Sequence, residues 1–339
     1  MGRRLKAIEY AENITLPDQR VAVLGDVHGN VGWIRMLARA LPYLAPDVTT
    51  ILQLGDWWMP PGEVDEALVE TGITRIYVTN GNHDPWGEIT PLLTKHPGAA
   101  VRVSKLVWLL PRPARLSIGG RSVLSLGGAS SVDRESRVEG LTWWQDEEIT
   151  DEDVAAAISG GPADLMLTHE SPADTPVRAV REILRKNPQR FPKAALQASA
   201  ASRARVSEVW DAVRPELLVH GHMHVGAGGQ TADGRRVASL GRECREWNLG
   251  MLDMQNLRMA TPSLAILRGY GEDSDGSRRT REWRMNSVAE SLHSGVLDGL
   301  KPTPGALQDA RDYIDGVRTL EEIIDDVRRR HTRNPEEKP

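Results

Sequence analysis

Short apolar runs recur along the chain, and five of them are followed at once by polar residues able to bind a ligand. A run of three or four mostly apolar residues is typical of a buried strand. The five runs span residues 21–24, 51–54, 76–78, 165–167 and 217–219. In an open α/β sheet, ligands bind at the carboxyl ends of the strands. We therefore expect the polar residues to gather at one edge of one sheet.

The polar segments after these runs are rich in Asp, Asn and His. They are Gly25-Asp26-Val27-His28-Gly29-Asn30, Gly55-Asp56, Gly81-Asn82-His83-Asp84, Thr168-His169-Glu170 and Gly221-His222-Met223-His224. A mixed oxygen and nitrogen donor set suits Mn, Fe, Zn, Co or Ni better than Ca. So many donors exceed the needs of one ion, and a two-metal centre shares a carboxylate between ions about 3.5 to 4 Å apart. Asp56 is the natural shared carboxylate.

The ordered set of motifs resembles the calcineurin-like metallophosphoesterase superfamily over residues 20–258. The resemblance implies an α/β fold of four layers, an α/β/β/α sandwich, and phosphoester hydrolysis by a metal-bridging hydroxide. The metal ligands that it implies are Asp26, His28, Asp56 and His224 around one ion, and Asp56, Asn82, His169 and His222 around the other. Two divalent transition-metal ions are the expected cofactors, with manganese first and Fe, Zn, Ni or Co as alternatives.

The same resemblance implies a catalytic role for His83, with Asp84 as the adjacent acid. His83 faces the phosphate in this view, where an imidazole can stabilise charge or protonate the leaving oxygen. Many relatives carry a second Asp three residues after the bridging one, where it orients the catalytic histidine. This chain has Met59 there, which cannot accept such a hydrogen bond. Either Asp84 or an acid from elsewhere orients His83, or the histidine is less constrained than in those relatives.

Tryptophans near the motifs are candidate substrate contacts. Trp57 and Trp58 follow the bridging Asp56, and Trp86 follows Asp84. An indole face can stack a nucleobase, which contributes about 1 to 3 kcal/mol per base and tolerates different bases. Core packing is the alternative, and for any single tryptophan it is the favoured one.

Two basic segments are further candidates for substrate binding. Arg134 and Arg137 follow Gly127-Gly128, and arginine can grip phosphate oxygens with parallel hydrogen bonds. A salt-bridged surface loop is an equally good interpretation. The insertion at 172–213 has helical composition and many arginines, which fits a basic lid over the metals or, more simply, a solvated helix face. His220 closes an apolar run, and packing or a backbone hydrogen bond is its expected role.

Composition narrows the class of protein. The 339 residues are 40% apolar, which is enough for a substantial core. The net charge of −5 argues against broad electrostatic attraction to nucleic acid or anionic membrane. One cysteine, Cys244, excludes an internal disulfide, and no apolar run reaches membrane-spanning length. With no apolar signal core at the N-terminus, the expectation is a cytoplasmic protein without a membrane partner.

The predicted domain order is an N-terminal extension (1–19), the phosphoesterase domain (20–260), a linker (261–285), a helical module (286–332) and a disordered end (333–339). Capping residues predict helices from Ser287, from Thr303 and from Thr319. This module resembles the VbhA-like antitoxins that inhibit Fic-type adenylyl transferases, which implies a Fic-type protein partner. Members of that family carry an inhibitory Glu where this chain has Asp298.

The function that the sequence favours is a phosphodiesterase acting on a nucleotide or nucleic acid. The closing Gly-His-Met-His motif favours the diesterase side of the superfamily, because the serine/threonine phosphatases that share the Asp26–Asn30 pattern lack it. A phosphomonoesterase for proteins or small molecules is the second hypothesis. The third, from another class, is an interaction protein that acts through the helical module.

Overall fold

A computed structural model describes residues 5–271 and 302–314, together with the single positions 288, 318, 323, 326 and 327. The chain divides into two units, residues 1–272 and 273–339. The first unit contains two β-sheets and seven helices within its described residues. Within its described residues, the second contains a helix at Pro304–Ile314.

The two sheets of the first unit have eight and seven strands, numbered here along the chain. In spatial order the first sheet contains β1 (Glu9–Ala11), β6 (Ala100–Arg102), β7 (Val107–Leu109), β5 (Arg75–Val78), β4 (Thr50–Gln53), β3 (Arg20–Leu24), β14 (Leu249–Asp253) and β15 (Arg258–Ala260). The second contains β12 (Ala227–Gln230), β13 (Arg236–Ser239), β11 (Leu217–His220), β10 (Leu165–Thr168), β9 (Arg121–Leu126), β8 (Ala114–Ile118) and β2 (Ile14–Leu16). The strands that precede the polar motifs are parallel neighbours within each sheet, β3–β4–β5 and β10–β11.

Helices cover the outer face of each sheet. Those with residues in the core under the first sheet are α1 (Val31–Leu44), α2 (Pro61–Ala67), α3 (Trp86–Leu93) and α7 (Leu264–Gly271). Those with residues in the core under the second sheet are α4 (Asp151–Ser159), α5 (Arg178–Lys186) and α6 (Lys193–Val213). Short 3-10 helices at Arg134–Ser136 and Gln145–Glu147 lie in the connection from β9 to α4.

Three apolar cores define the four layers. Side chains alternate across a strand, so a strand buried on both faces contributes to two cores. Ala22 and Leu24 of β3 join the core between the first sheet and its helices, whereas Val21 and Val23 join the core between the sheets. Met166 of β10 packs in the third core, between the second sheet and its helices. The predicted α/β/β/α sandwich is confirmed.

The structure corrects three details of the sequence analysis. The five predicted strands lie in two sheets rather than one, and the polar motifs converge because the sheets pack face to face. The segment predicted as an extension contributes β1 to one sheet and β2 to the other, since Ile14 and Leu16 point into the core between them. The predicted linker begins as α7, whose Leu267 is 1% exposed in the first core.

The insertion at 172–213 forms α5 and α6, as its helical composition indicated. Val206, Val209 and Trp210 of α6 are buried in the third core. This helix is therefore a structural layer over the outer face of the second sheet. The arginines at its exposed positions fit the simpler interpretation of a solvated helix face.

In the second unit, α8 (Pro304–Ile314) begins where the sequence predicts. Pro304 takes a first-turn position, and the Thr303 hydroxyl accepts a hydrogen bond from the Ala306 backbone N–H at 3.1 Å. The helix predictions at Ser287 and Thr319, and Asp298, fall largely outside the described residues. Among the described residues, no helix is both long and apolar enough to span a bilayer.

The capping box of α4 provides a test of local stability. The Thr150 hydroxyl accepts from the Asp153 N–H, and the Asp153 carboxylate accepts from the Thr150 N–H. We expect Thr150→Ala to lower the free energy of unfolding by about 1 kcal/mol, because the first helical turn loses a cap. Urea denaturation measures the change, with Ser159→Ala, at the other end of the helix, as the control. Equal stabilities of the two variants would contradict the capping role.

Candidate metal centre

Seven candidate ligands lie at the carboxyl ends of five parallel strands. Asp26 and His28 follow β3, Asp56 follows β4, and Asn82 follows β5, all in the first sheet. In the second sheet, His169 follows β10, and His222 and His224 follow β11. The site therefore draws on both sheets.

The first group of ligands consists of Asp26, His28, Asp56 and His224. One donor atom from each lies within 4.8 Å of the others. Nε2 of His224 is 3.1 Å from a carboxylate oxygen of Asp26, and Nε2 of His28 is 3.5 Å from Oδ2 of Asp56. Three of the four side chains are buried, and His224 is partly exposed. This group could hold a metal ion.

A second group gathers on the other oxygen of Asp56. Nε2 of His169 is 3.3 Å from Oδ1 of Asp56 and 2.9 Å from Oδ1 of Asn82. The rings of His169 and His222 are 5.0 Å apart. Asp56 thus stands between two sets of donors, with one carboxylate oxygen toward each.

The chemistry of these groups fits divalent cations. Oδ2 of Asp56 is buried and has no hydrogen bond among the described residues. Burial lowers the pKa of His169, but the neighbouring Asp56 outweighs burial and raises this pKa to about 10. Burial raises the pKa of Asp56, but His169 and His28 outweigh burial and hold this pKa well below its usual range. Burial lowers the pKa of His222 to about 3, so its imidazole is neutral, as metal ligation requires. A buried anion that pairs with imidazoles is a suitable environment for positive charge.

The backbone under the site is strained. His28, Asp56, His222 and His224 all have positive φ, between 47° and 64°. This region is unfavourable for residues with a Cβ, and such residues cluster at functional sites. Gly81 is needed for a different reason, because a Cβ there would lie 2.9 Å from Cε1 of His169 and even closer to Asp56.

The comparison with protein families decides the assignment. The family model for calcineurin-like phosphoesterases matches residues 19–226. The chain belongs to this family. The model for the antitoxin VbhA matches residues 284–330, which include most of the helical module that resembles VbhA-like antitoxins in its sequence.

Several solved structures are similar to this chain. A hypothetical protein from Thermus thermophilus is 17% identical, with a TM-score of 0.38 and coverage of 66% of this chain and 76% of the other. The 5′-nucleotidase from Candida albicans is 10% identical, with a TM-score of 0.39 and coverage of 89% and 60%. A novel archaeal phosphodiesterase is 12% identical, with a TM-score of 0.36 and coverage of 72% and 99%. No curated protein matches the chain.

Glu243 supports the first group of ligands in this phosphoesterase. Its carboxylate lies 2.8 Å from Nδ1 of His28 and is 2% exposed. A carboxylate in this position fixes the tautomer and the ring orientation of a ligating histidine. Sequence reasoning missed Glu243, since 215 residues separate it from His28 and no motif surrounds it. On the opposite side, Nδ1 of His169 is 2.6 Å from the Leu54 carbonyl oxygen.

The carboxylate of Asp84 organises the backbone. It accepts hydrogen bonds from the N–H groups of Asp56, Trp57, Trp58 and Gly81, at 2.6 to 3.1 Å. Burial raises its pKa, and the bonds from Gly81 and Trp58 oppose that shift. These contacts favour a structural role for Asp84, because its oxygens are occupied by the loop that carries Asp56, and its catalytic role stays a prediction.

His83 lies at the edge of the centre. Its backbone N–H donates to Oδ1 of Asp56 at 2.8 Å, and its ring is 6.2 Å from the ring of His28. Nε2 is 3.3 Å from Nη2 of Arg137. The structure thus brings the predicted histidine and one predicted arginine together. Arg134 lies elsewhere in the loop, exposed, with its guanidinium 3.7 Å from the ring centre of Trp143.

The tryptophans divide into two kinds. Trp57 and Trp86 are each 4% exposed in the first core, and Nε1 of Trp86 donates to the Gly81 carbonyl oxygen at 2.8 Å. Core packing is thus their role, and the prediction that they stack a base is corrected. Trp58 is partly exposed, with its ring 5.8 Å from that of His83. His220 is buried, with Nδ1 2.9 Å from the Gly221 carbonyl oxygen, as expected.

Removal of Glu243 tests how the first group of ligands is held. We expect Glu243→Ala to weaken Mn²⁺ binding by about 10- to 100-fold, because His28 loses the group that orients it. Isothermal titration of the metal-depleted protein measures the affinity. Glu246→Ala is the matched control, since Glu246 is exposed and its carboxylate bonds only the Leu264 N–H among the contacts that the structure describes. If Glu243→Ala and Glu246→Ala bind Mn²⁺ with equal affinity, Glu243 does not orient His28.

A second substitution separates structure from catalysis at Asp84. We expect Asp84→Asn to lower the free energy of unfolding by roughly 3 kcal/mol, because four backbone donors lose a charged acceptor. Urea denaturation measures this, with the exposed Asp146→Asn as the control. Full stability with loss of turnover in Asp84→Asn would instead support the predicted catalytic role.

Proposed function

We propose that this chain is a two-metal phosphodiesterase that hydrolyses a nucleotide or nucleic-acid phosphoester. The observation that carries the proposal is the position of Asp56, whose two oxygens face separate sets of donors. One ion would be held by Asp26, His28, Asp56 and His224, and the other by Asp56, Asn82, His169 and His222. Manganese is the proposed metal, with Fe, Zn, Ni or Co as alternatives.

Each part of the site has a distinct task in this proposal. Bound divalent cations would polarise phosphoryl oxygens and lower the pKa of a water molecule, the nucleophile of an in-line attack. His83 stands beside the centre without belonging to either ligand set, so its imidazole is available for the leaving oxygen. Asn82 is held by Ser131, whose hydroxyl lies 3.0 Å from the amide nitrogen. That bond directs the Asn82 carbonyl oxygen toward His169.

The preference for diesters rests on the Gly-His-Met-His motif and on Trp58. Trp58 is the one tryptophan of the three candidates that is partly exposed beside His83, so a base could lie against it. A phosphomonoesterase remains the alternative. Action in the cytoplasm remains a prediction from the sequence.

The match of residues 284–330 to the antitoxin model favours a second candidate function, the binding of a toxin protein by the tail. Loss of a co-purifying protein on removal of residues 287–339 would support it. Retention of the same protein by the shortened chain would contradict it.

Hydrolysis of model esters tests the catalytic proposal. We expect the manganese-loaded protein to hydrolyse bis-p-nitrophenyl phosphate faster than p-nitrophenyl phosphate, and a chelator to abolish both activities. His83→Ala should lower kcat by about 10²- to 10⁴-fold, the usual contribution of a proton-transfer group. His96→Ala is the control, because His96 is exposed and its ring packs beside that of Tyr10, with the ring centres 4.1 Å apart. A monoester preference would favour the alternative, and activity that survives the chelator would refute a metal-dependent reaction.

A further inference from the structure

The loop from Ser131 to Glu147 places one buried guanidinium beside His83. The Arg137 side chain is 9% exposed, and each of its three nitrogens has a partner. Nε lies 3.1 Å from Asp133, Nη1 lies 3.3 Å from the Ser131 hydroxyl, and Nη2 lies 3.3 Å from Nε2 of His83. The loop therefore fixes this guanidinium in one orientation.

A fully buried acid lies behind the guanidinium. The Glu147 side chain is 0% exposed, and one of its oxygens accepts from the Ser131 N–H at 3.0 Å. The other has no hydrogen bond among the described residues and lies 3.8 Å from Nη1 of Arg137. Burial raises the pKa of Glu147 to about 8, and the contacts with Ser131 and Arg137 oppose that shift.

Neither of the two positions expected to supply an acid that orients His83, residue 59 and Asp84, does so. Position 59 is Met59, which is 4% exposed in the first core, and the Asp84 oxygens bind four backbone N–H groups. Nδ1 of His83 is buried without a hydrogen bond in the described part of the chain. The contact with Arg137 is thus the hydrogen bond that the structure shows for the His83 ring.

We propose that Arg137 grips a non-bridging phosphoryl oxygen of the substrate beside His83, and that Glu147 is a positioning residue that holds Arg137 there. This inference rests on the proposed phosphoesterase function and deepens it. A simple loop-holding ion pair would need only Nε and Nη1, which already meet Asp133, Ser131 and Glu147. Nη2 instead lies 3.3 Å from Nε2 of His83, beside the candidate metal centre, where a phosphate oxygen can replace the imidazole as acceptor.

The test measures binding of inorganic phosphate by the manganese-loaded protein, using calorimetry, beside turnover of bis-p-nitrophenyl phosphate. We expect Arg137→Lys to weaken phosphate binding and to lower kcat/KM by about 10- to 100-fold, because a charge-assisted hydrogen bond with fixed geometry is lost. Bound manganese per chain, measured by mass spectrometry, should not change. Arg178→Lys, at an exposed position of α5, is the matched control and should resemble the wild type.

The test of Glu147 must distinguish a positioning role from a loss of folding. We expect Glu147→Gln, which keeps an acceptor for the Ser131 N–H, to weaken phosphate binding by about 3- to 10-fold with unchanged manganese content. Added guanidinium should partly restore turnover to Arg137→Ala, because a free cation can enter the vacated site. If Arg137→Ala does not fold, Arg137→Lys still decides the question, since lysine keeps the charge and the apolar stem.

Several outcomes would overturn the inference. If Arg137→Lys binds phosphate as tightly as the wild type, Arg137 does not grip the phosphoryl oxygen. If Arg137→Lys loses bound manganese to the same extent as it loses phosphate binding, the role of Arg137 is purely structural. Wild-type behaviour of Glu147→Gln would exclude its positioning role. A wild-type protein that binds phosphate through Arg137 but hydrolyses no phosphoester would refute the proposed function while it leaves the grip standing.

Discussion

The buried carboxylate of Asp56 is the interaction on which the rest of the site depends. A charge with 1% exposure is costly unless positive groups or donors surround it. Here His28 approaches one oxygen, while His169 and the His83 N–H approach the other. Protonated imidazoles can supply the positive charge, and so can divalent cations on the same nitrogens. The arrangement of donors around one anion thus explains both the stability of the pocket and its suitability for metals.

A second buried carboxylate makes the first one possible. Asp84 accepts from the N–H groups of Asp56 and of the two tryptophans that follow it. These bonds hold Asp56 at a positive φ that its side chain disfavours. Trp57 and Trp86 then anchor the same loops in the apolar core. The rigidity of the site therefore comes from polar contacts to the backbone together with aromatic packing beneath it, as a preformed ligand set requires.

The partners of these residues come from distant parts of the sequence. Glu243 reaches His28 across 215 residues, and Arg137 reaches His83 across 54. Neither partner lies in a recognisable motif. The contacts arise because two sheets pack face to face, so that loops from the second sheet meet strand ends of the first. Glu243 contacts a candidate ligand and Arg137 contacts His83, through one hydrogen bond each, and short motifs do not predict such contacts.

The sequence by itself determined the family, through its ordered motifs, and with the family the four-layer fold. Short apolar runs followed by Asp, Asn and His also predicted that the candidate ligands lie at strand ends. Only the tertiary structure decided which of the strands lie in each of the two sheets, that Asp84 serves the backbone and that Trp57 and Trp86 belong to the core. It also decided that Arg137, not Arg134, lies beside His83. A local pattern records which face of an element is buried, whereas the partner of a polar group depends on which loops the packed sheets bring together.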